Sequence, residues 1–301
     1  MNEIAVRDVS VIGPISDALA KTKLLLFKPF DISRWFAIGF CAWLTMLAGQ
    51  GGGFNFYHPS GRGTGVQIGN YIQAHLMLII SLVSAVAAAG VIIMLVFLWL
   101  SSRGSFMFLH CVAQNKAEVK LPWRQYRYQG NSLFLFRLIF GLIAFVCLVS
   151  ICIAFSIPIF VMRHNPQIIT IIIIIAVGAP ILIILSIGFA LVGKFTKDFV
   201  VPIMYLRNCG CMAGWKEFLP LLRANIGRFI LYILFQIVIG MAISTIVLAA
   251  ACLTCCIAAC LMAIPYIGTV ALLPILVFHR EYSICYLRQY GSAFDVFAQP
   301  G

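Results

Sequence analysis

The sequence has few charged residues, and acidic residues are the scarcest of them. Aspartate and glutamate number nine in 301 residues, and charged residues make up 10% of the chain, against 62% hydrophobic residues. Soluble domains carry about a quarter charged residues, because a surface in contact with water needs them. The composition therefore excludes an ordinary soluble domain and predicts that most of the chain faces lipid.

Groups of reactive side chains are also lacking, which argues against catalysis. General acid–base chemistry and the binding of hard metals need carboxylates or histidines that converge, yet the five histidines are never closely spaced. No GxSxG elbow, HExxH pair, dinucleotide fingerprint or P-loop appears. The sequence therefore predicts a protein that is not an enzyme, with no cofactor and no metal.

Long apolar runs recur along the chain. A membrane-spanning helix needs roughly 20 apolar residues, and six stretches qualify, at about 32–50, 70–100, 132–161, 167–193, 226–250 and 258–278. The first thirty residues lack a basic start followed by an apolar core, so we expect no cleavable signal peptide. The predicted fold class is all-α, a polytopic membrane protein with about six transmembrane helices in a single integral membrane domain over residues 1–301.

The basic residues are distributed unevenly among the predicted loops. Of the 21 lysines and arginines, only Arg62 and Arg163 fall in the first and third loops. This positive-inside pattern predicts that both termini are cytoplasmic, in a bacterial inner membrane. Anionic lipid headgroups next to the basic face account for the net charge of +12. We therefore expect membrane lipids and other membrane or cytoplasmic proteins as partners, and no nucleic acid.

Similar cytoplasmic segments indicate an internal repeat. SFMFLHCVAQN (105–115) and DFVVPIMYLRN (198–208) are each followed by a Trp-basic pair, an asparagine and an apolar run. Asp31, Asn131 and Asn225 stand just before apolar runs and are predicted N-caps. We predict three units of an amphipathic segment, a helix out and a helix back, at about 16–115, 116–208 and 209–289.

Three stretches carry a resemblance to known proteins: FKPFDISRWFAIGF, WRQYRYQGNSLFLF and WKEFLPLLRANIGRF. Their pattern resembles a loose group of uncharacterised six-helix prokaryotic membrane proteins, which includes the membrane domain attached to some glycerophosphodiester phosphodiesterases. The resemblance covers most of the chain and implies a six-helix membrane domain. No soluble phosphodiesterase domain is present, so none of that enzyme's metal-binding residues carries over.

Polar side chains in the apolar runs define a candidate path for a solute. His75 and Gln73 stand near the outer start of the second helix, and Gln236 is the deepest strongly polar side chain of the fifth. Polar groups inside membranes are costly and often functional. The ordinary alternatives are an interfacial histidine and, for Gln236, a helix–helix hydrogen bond. The prolines that can interrupt helices four and six, as in some transporters, are Pro180, Pro265 and Pro274.

A second candidate site is the cysteine-rich stretch CLTCCIAAC. Its four cysteines are Cys252, Cys255, Cys256 and Cys260. On a helix, three of them share one face, where they can bind a soft metal such as Cu(I) or form disulfides in an oxidising compartment. One regular helix cannot close a tetrahedral metal site alone, and cysteine is also a small, well-buried apolar residue. Packing is therefore the favoured interpretation, with metal or redox chemistry as the alternative.

The acidic residue nearest a membrane core is Asp198, in the stretch KFTKD. We predict that it forms a surface ion pair with Lys194, Lys197 or a neighbouring loop. With no buried reactive group expected, the leading hypothesis is a non-enzymatic scaffold, assembly or partner-binding subunit. A transporter or channel for a small or lipidic solute is the alternative, and an enzyme of lipid metabolism is the third.

Overall fold

The computed structural model is predominantly helical across the residues that it describes, which are 9–28, 30–48, 76–161, 168–254, 262 and 264–298. A π-helical turn, Thr196–Val200, joins the helix that ends at Phe195 to the helix that begins at Val201. Short 3-10 turns at Ser292–Phe294 and Val296–Ala298 follow the helix that ends at Arg288. None of the described residues lies in a strand, so the all-α prediction is confirmed. The α-helices are α1 (Gly13–Phe27), α2 (Ile32–Met46), α3 (Leu76–Gln114), α4 (Lys120–Gln125), α5 (Arg127–Val161), α6 (Ile168–Phe195), α7 (Val201–Arg207), α8 (Cys211–Ala224), α9 (Ile226–Leu253), α10 (Pro265–Ala271) and α11 (Leu273–Arg288).

Four segments are long and apolar enough to cross a membrane. They are Ile80–Gln114, Arg127–Ser156, Ala176–Arg207 and Ile226–Leu253. Each exceeds the roughly 20 residues that span a hydrocarbon core, and each exposes large apolar side chains over much of its length. Exposed fractions of 66% at Met94 and 71% at Ile184 are typical of this surface. Such a surface suits lipid and not water, as the composition predicts.

The other two predicted spans differ from these four. Helix α2 has 15 residues, which gives about 22 Å of helix, less than the hydrocarbon core of about 30 Å. The sixth predicted span coincides in part with α10 and α11, which are separated at Leu272, and α11 continues beyond residue 278 to Arg288. Residues 49–75 and 258–261 lie outside the described part. A count of six spans therefore stays a prediction.

The hydrophobic core lies toward one end of the long helices. It joins the second half of α3, the π-helical turn, α7, α8, the start of α9 and α11. Aromatic rings form its centre: Phe199 and Phe218 have centroids 5.3 Å apart, Phe218 and Phe229 5.4 Å, and Tyr232 and Tyr286 4.6 Å. By the predicted topology this is the cytoplasmic end of the bundle.

The amphipathic segments pack onto this core. Helix α1 lies against α11 and buries Ala18, Leu25 and Leu26. Helix α8 lies against α7 and the π-helical turn and buries Phe218 and Leu221. The apolar faces of both helices are thus largely covered by the protein itself.

A close helix crossing holds α2 beside α3. A Cβ atom added at Gly104 would lie 2.5 Å from Leu44 Cβ, so only glycine permits this approach. The Ser101 hydroxyl donates to the Thr45 carbonyl at 2.8 Å. The sulfur atoms of Cys41 and Cys111 are 4.0 Å apart at the same crossing, although the two residues are far apart in the sequence. The crossing fixes the position of the end of α2.

The predicted N-caps have three different outcomes. Asp31 caps α2 by accepting a hydrogen bond from the Ser33 N–H at 2.8 Å, which confirms the prediction. The Asn225 residue stands at the cap position of α9, but its amide donates to the Leu221 carbonyl instead. The prediction for Asn131 is wrong, because α5 begins at Arg127 and the Asn131 side chain accepts from Arg103 and Trp99.

Candidate functional site

A cavity of about 500 Å³ lies among α2, α3, the junction of α6 with the π-helical turn, α9 and α11. This volume falls in the range of about 300–1,000 Å³ that is usual for ligand pockets. One part of its wall is apolar, formed by Ala42, Met46, Phe108 and Leu276. The charged and strongly polar side chains that line it are Lys194, Lys197, Asp198, Gln236, His279 and Arg280.

The π-helical turn carries Lys197 and Asp198 and leaves one backbone carbonyl free. In a π-helix each N–H bonds to the carbonyl five residues earlier, and the Val201 N–H bonds to Thr196 in this way. The next donor in the series would come from Pro202, which has no N–H. The Lys197 carbonyl instead accepts a hydrogen bond of 2.6 Å from Arg280 Nη1. The carbonyl group that Pro202 leaves without a backbone donor thus accepts its hydrogen bond from a side chain of another helix.

Four side chains beside the π-helical turn form a closed ring of polar contacts. Lys194 Nζ is 3.0 Å from Asp198 Oδ2, and the same nitrogen donates to Gln236 Oε1. Gln236 Nε2 donates to the Tyr232 hydroxyl at 2.7 Å, and that hydroxyl donates to Asp198 Oδ2 at 3.2 Å. The predicted pairing of Asp198 with Lys194 is confirmed. Its predicted surface position is wrong, because only 13% of the Asp198 side chain is exposed.

Two other cations of the cavity form no ion pair of this kind, although the negative charge of Asp198 reaches both. Among the described residues, no carboxylate lies within 4.0 Å of Lys197 or Arg280. Arg280 is 6% exposed, and its Nε and Nη2 atoms have no hydrogen-bond partner in the described part of the chain. Burial lowers the pKa of Arg280 to about 10, so the guanidinium stays charged at pH 7. The positive charge of Arg137 on α5 also reaches Lys197 and Arg280.

His279 faces the same cavity from α11. Burial lowers the pKa of this imidazole, and the positive charge of Lys194 lowers it further. The ring is therefore neutral at pH 7, when it can both donate and accept a hydrogen bond. It adds polarity to the wall without adding charge.

Glu281 follows Arg280 in α11 but does not supply the missing negative charge. Its side chain is 2% exposed, and Oε2 has no hydrogen-bond partner among the described residues. Burial raises the pKa of Glu281 to about 8, against the opposing influence of Lys21, Arg280 and Arg288. The carboxyl group is thus mostly protonated at pH 7. The expectation that no reactive group is buried is wrong at this residue.

The predicted solute path can be followed at one of its three polar residues. Gln236 is buried, lines the cavity and bonds to Lys194 of another helix, as the ordinary alternative for this side chain predicts. His75 and Gln73 lie outside the described residues. The predicted interruption of helix six is confirmed at Leu272, just before Pro274, whereas α6 continues through Pro180.

The cysteine-rich stretch lies mostly beyond what the structure describes. Cys252 is exposed near the end of α9, which finishes at Leu253. Cys255, Cys256 and Cys260 are outside the described residues, so both interpretations of the stretch stay predictions. Within the described residues, no three or more histidine, cysteine or acidic side chains are placed to hold a metal ion.

Sequence reasoning missed most of the cavity. The sequence predicts Lys194 and Lys197 only as partners of Asp198, and the positive-inside pattern treats Arg280 as a marker of topology, because basic residues flank the cytoplasmic ends of membrane helices. One signal was available: Lys194, Lys197 and Asp198 stand at i, i+3 and i+4 in the sequence, which places them on one helix face. The contribution of α11 had no comparable signal.

The cavity falls inside a region that matches a known protein family. The sequence profile of the family of unknown function DUF7544 matches residues 9–294. The chain belongs to this family. All the residues that line the cavity are within the matched region, so the cavity is part of the DUF7544 domain. No curated protein and no solved structure matches the chain, and the resemblance to the membrane domain of some phosphodiesterases stays a prediction.

Proposed function

We propose that this DUF7544 protein binds a small or lipidic solute in the cavity and moves it through the membrane. The observation that carries the proposal is a charged cavity that three long apolar helices, α3, α6 and α9, help to line. Charged side chains within membrane helices almost always face a bundle interior or a water-filled cavity, where they mark the paths of substrates and ions.

The depth of the cavity supports the same proposal. Gln236 lies about 15 Å along α9 from Ile226, at 1.5 Å per residue. This distance is half the thickness of a hydrocarbon core of about 30 Å. Transporters commonly hold their substrates near the midplane, between structural repeats. If α9 crosses the membrane from its first residue, Gln236 reaches that depth, whereas Lys194 and Arg280 follow the predicted spans that end at residues 193 and 278 and lie nearer the cytoplasmic end.

We also propose that the three predicted units surround the cavity. The predicted units correspond to α1 to α3, α4 to α7, and α8 to α11, each of which begins with a helix of 15 residues or fewer. The cavity takes wall residues from each group: Phe108 from the first, Lys194 from the second and Arg280 from the third. A site at the junction of three units is what a transporter built from repeats requires.

A scaffold or partner-binding subunit is the second candidate. It is favoured by the outer face of α1, where Leu19, Leu24 and Phe27 are each about half exposed. This face can meet lipid headgroups or another protein. The inner faces of the amphipathic segments pack against the protein's own core. A scaffold therefore has less apolar surface for binding a partner than the sequence suggests. In either case we propose that the protein acts without catalysis, and turnover of a lipid phosphoester by the purified protein would contradict this.

The experiment that tests the proposal compares the molecules that copurify with the protein before and after the cavity is filled. Gly193 lines the cavity, and a Cβ atom there meets nothing within 4 Å, so Gly193→Phe places a ring in the open space. Gly188→Phe is the matched control, because Gly188 lies in the same helix with equal space outside the cavity. Each protein is purified from its native membrane in mild detergent and analysed by mass spectrometry.

We expect the wild type and Gly188→Phe to carry a defined small molecule or lipid that Gly193→Phe has lost. Identical bound molecules in all three proteins would contradict a role for the cavity. A stoichiometric protein partner without any such molecule would favour the scaffold.

The location also belongs to this proposal. We propose a bacterial inner membrane with both termini in the cytoplasm, on the basis of the distribution of lysine and arginine. Green fluorescent protein fused to the C-terminus is expected to fluoresce, because it folds in the cytoplasm and not after export in unfolded form. A dark fusion present at normal levels in the membrane would reverse the orientation.

A further inference from the structure

We propose that the ligand of the cavity carries a phosphate group, which binds to the Lys197 ammonium and the Arg280 guanidinium. This inference rests on the proposed function, in which the cavity is the binding site. The two side chains come from different elements, the π-helical turn and α11, and both line the cavity. The Arg280 bond to the Lys197 carbonyl holds the two elements together.

The charges of the cavity are the first argument. Lys194 is neutralised by Asp198 at 3.0 Å, whereas Lys197 and Arg280 have no carboxylate within 4.0 Å among the described residues. Arg280 is buried, and a buried charge without a close partner is costly, so a bound counter-ion removes that cost. A phosphate monoester carries a charge of about −1.5 to −2 at pH 7, and the diester of a phospholipid headgroup carries a smaller negative charge, so either supplies a counter-charge to the two cations.

The donor groups are the second argument. Arginine presents a planar fork of N–H donors that suits the oxygens of a phosphate, and lysine adds a compact positive charge. Arg280 uses Nη1 for the Lys197 carbonyl, and its Nε and Nη2 donors are without a partner in the described structure. Both atoms have almost no accessible surface, so an oxyanion in the cavity reaches them only after the guanidinium turns toward it.

The apolar wall is the third argument and concerns the rest of the ligand. Met46, Phe108 and Leu276 face the same space as the cations. A cavity of about 500 Å³ with both kinds of wall has room for an apolar group attached to the phosphate. Two sources supply such a group: the headgroup of an anionic phospholipid, and a soluble phosphate ester.

The test measures ligand binding in variants of the purified full-length protein. Lys197→Gln removes one cation from an exposed side chain that lines the cavity. Arg280→Lys keeps the charge but removes the fork. Lys216→Gln is the matched control, because Lys216 is exposed on α8 and does not line the cavity. Correct folding of each variant is established by its thermal transition and gel-filtration profile.

Two probes distinguish the sources. One is inorganic phosphate, added to the protein in detergent. The other probe is a nanodisc that contains phosphatidylglycerol or, for comparison, phosphatidylcholine. The protein is released from the nanodiscs, and native mass spectrometry identifies the lipids that it retains. Selective retention of phosphatidylglycerol identifies a headgroup as the ligand. Binding of inorganic phosphate without lipid selectivity identifies a soluble ester.

We expect Lys197→Gln to weaken binding of the effective probe by about tenfold, in line with the loss of one charge-assisted bond, and Lys216→Gln to bind like the wild type. Equal affinity of Lys197→Gln and wild type would overturn the inference, and so would the absence of binding of both probes. A neutral molecule that copurifies with the wild type and is displaced by Gly193→Phe would also overturn it while leaving the proposed function intact.

Discussion

Arg280 and Lys197 are 83 residues apart in the chain, yet the guanidinium of the first donates to the backbone carbonyl of the second at 2.6 Å. The bond exists because Pro202 cannot donate to that carbonyl. It ties α11 to the π-helical turn and places two cations in one cavity. The same contact is therefore both a structural bond and part of the candidate site.

Restoring a backbone donor should make Arg280 less important for stability. In Pro202→Ala, the new N–H can bond to the Lys197 carbonyl. We expect Arg280→Gln to lower the free energy of unfolding by about 1.5–3 kcal/mol in the wild-type background, as for a hydrogen bond to a charged group. In the Pro202→Ala background the loss should be smaller by at least about 0.5 kcal/mol. Thermal unfolding in detergent measures both. Pro220→Ala, which replaces another helical proline, is the control. Its effect on the free energy of unfolding should simply add to the effect of Arg280→Gln.

The α2–α3 crossing gives a prediction about two glycines of one helix. Gly104→Ala places a methyl group 2.5 Å from Leu44 Cβ, whereas the Cβ at Gly90 has nothing within 4 Å. We expect Gly104→Ala to cost about 1–3 kcal/mol by overpacking. Gly90→Ala should leave stability unchanged or raise it slightly, because alanine favours a helix more than glycine does. Equal melting temperatures of the two variants would show that α2 and α3 do not cross at this point.

The buried Glu281 should make stability depend on pH. Because folding raises its pKa to about 8, the protonated carboxyl group contributes stability that is fully present below the usual glutamate pKa of about 4.3 and is lost as the pH rises through about 8. The free energy of unfolding should therefore fall between these values, by at most about 1.4 kcal/mol per pH unit. Glu281→Gln should flatten the profile. Glu217→Gln, in the exposed pair with Arg207, should retain the wild-type slope.

Removing the negative charge from the cavity should act in the opposite direction to removing a positive one. Asp198→Asn leaves Lys194 without its ion pair and adds one positive charge to the cavity. We expect the affinity for the phosphate-bearing probe to rise by about tenfold, while Glu217→Gln leaves it unchanged. The binding titration used for Lys197→Gln measures the affinity of Asp198→Asn for the same probe. Weaker binding by a well-folded Asp198→Asn would mean that Asp198 itself contacts the ligand.

The parts of the fold that were predictable depend on local chemistry. Long apolar runs predict α3, α5, α6 and α9, because lipid selects apolar residues along a whole helix. Asp31 caps α2 as its position before an apolar run predicts. The same rule gives a wrong prediction for Asn131, because α5 begins one turn earlier and the Asn131 side chain accepts a hydrogen bond from Arg103 instead. A local pattern identifies the helix, but contacts with another helix decide how a residue near its end is used.

The sequence by itself determined that this chain is helical and suited to a membrane, because composition and apolar run length follow from the solvent that surrounds each segment. Only the tertiary structure decided that Lys194, Lys197, Asp198, Gln236 and Arg280 share one cavity. Basic residues at helix ends look alike in a sequence whether they face water or a protein interior. The difference arises from the packing of α11 against the π-helical turn, which depends on contacts between residues far apart in the chain.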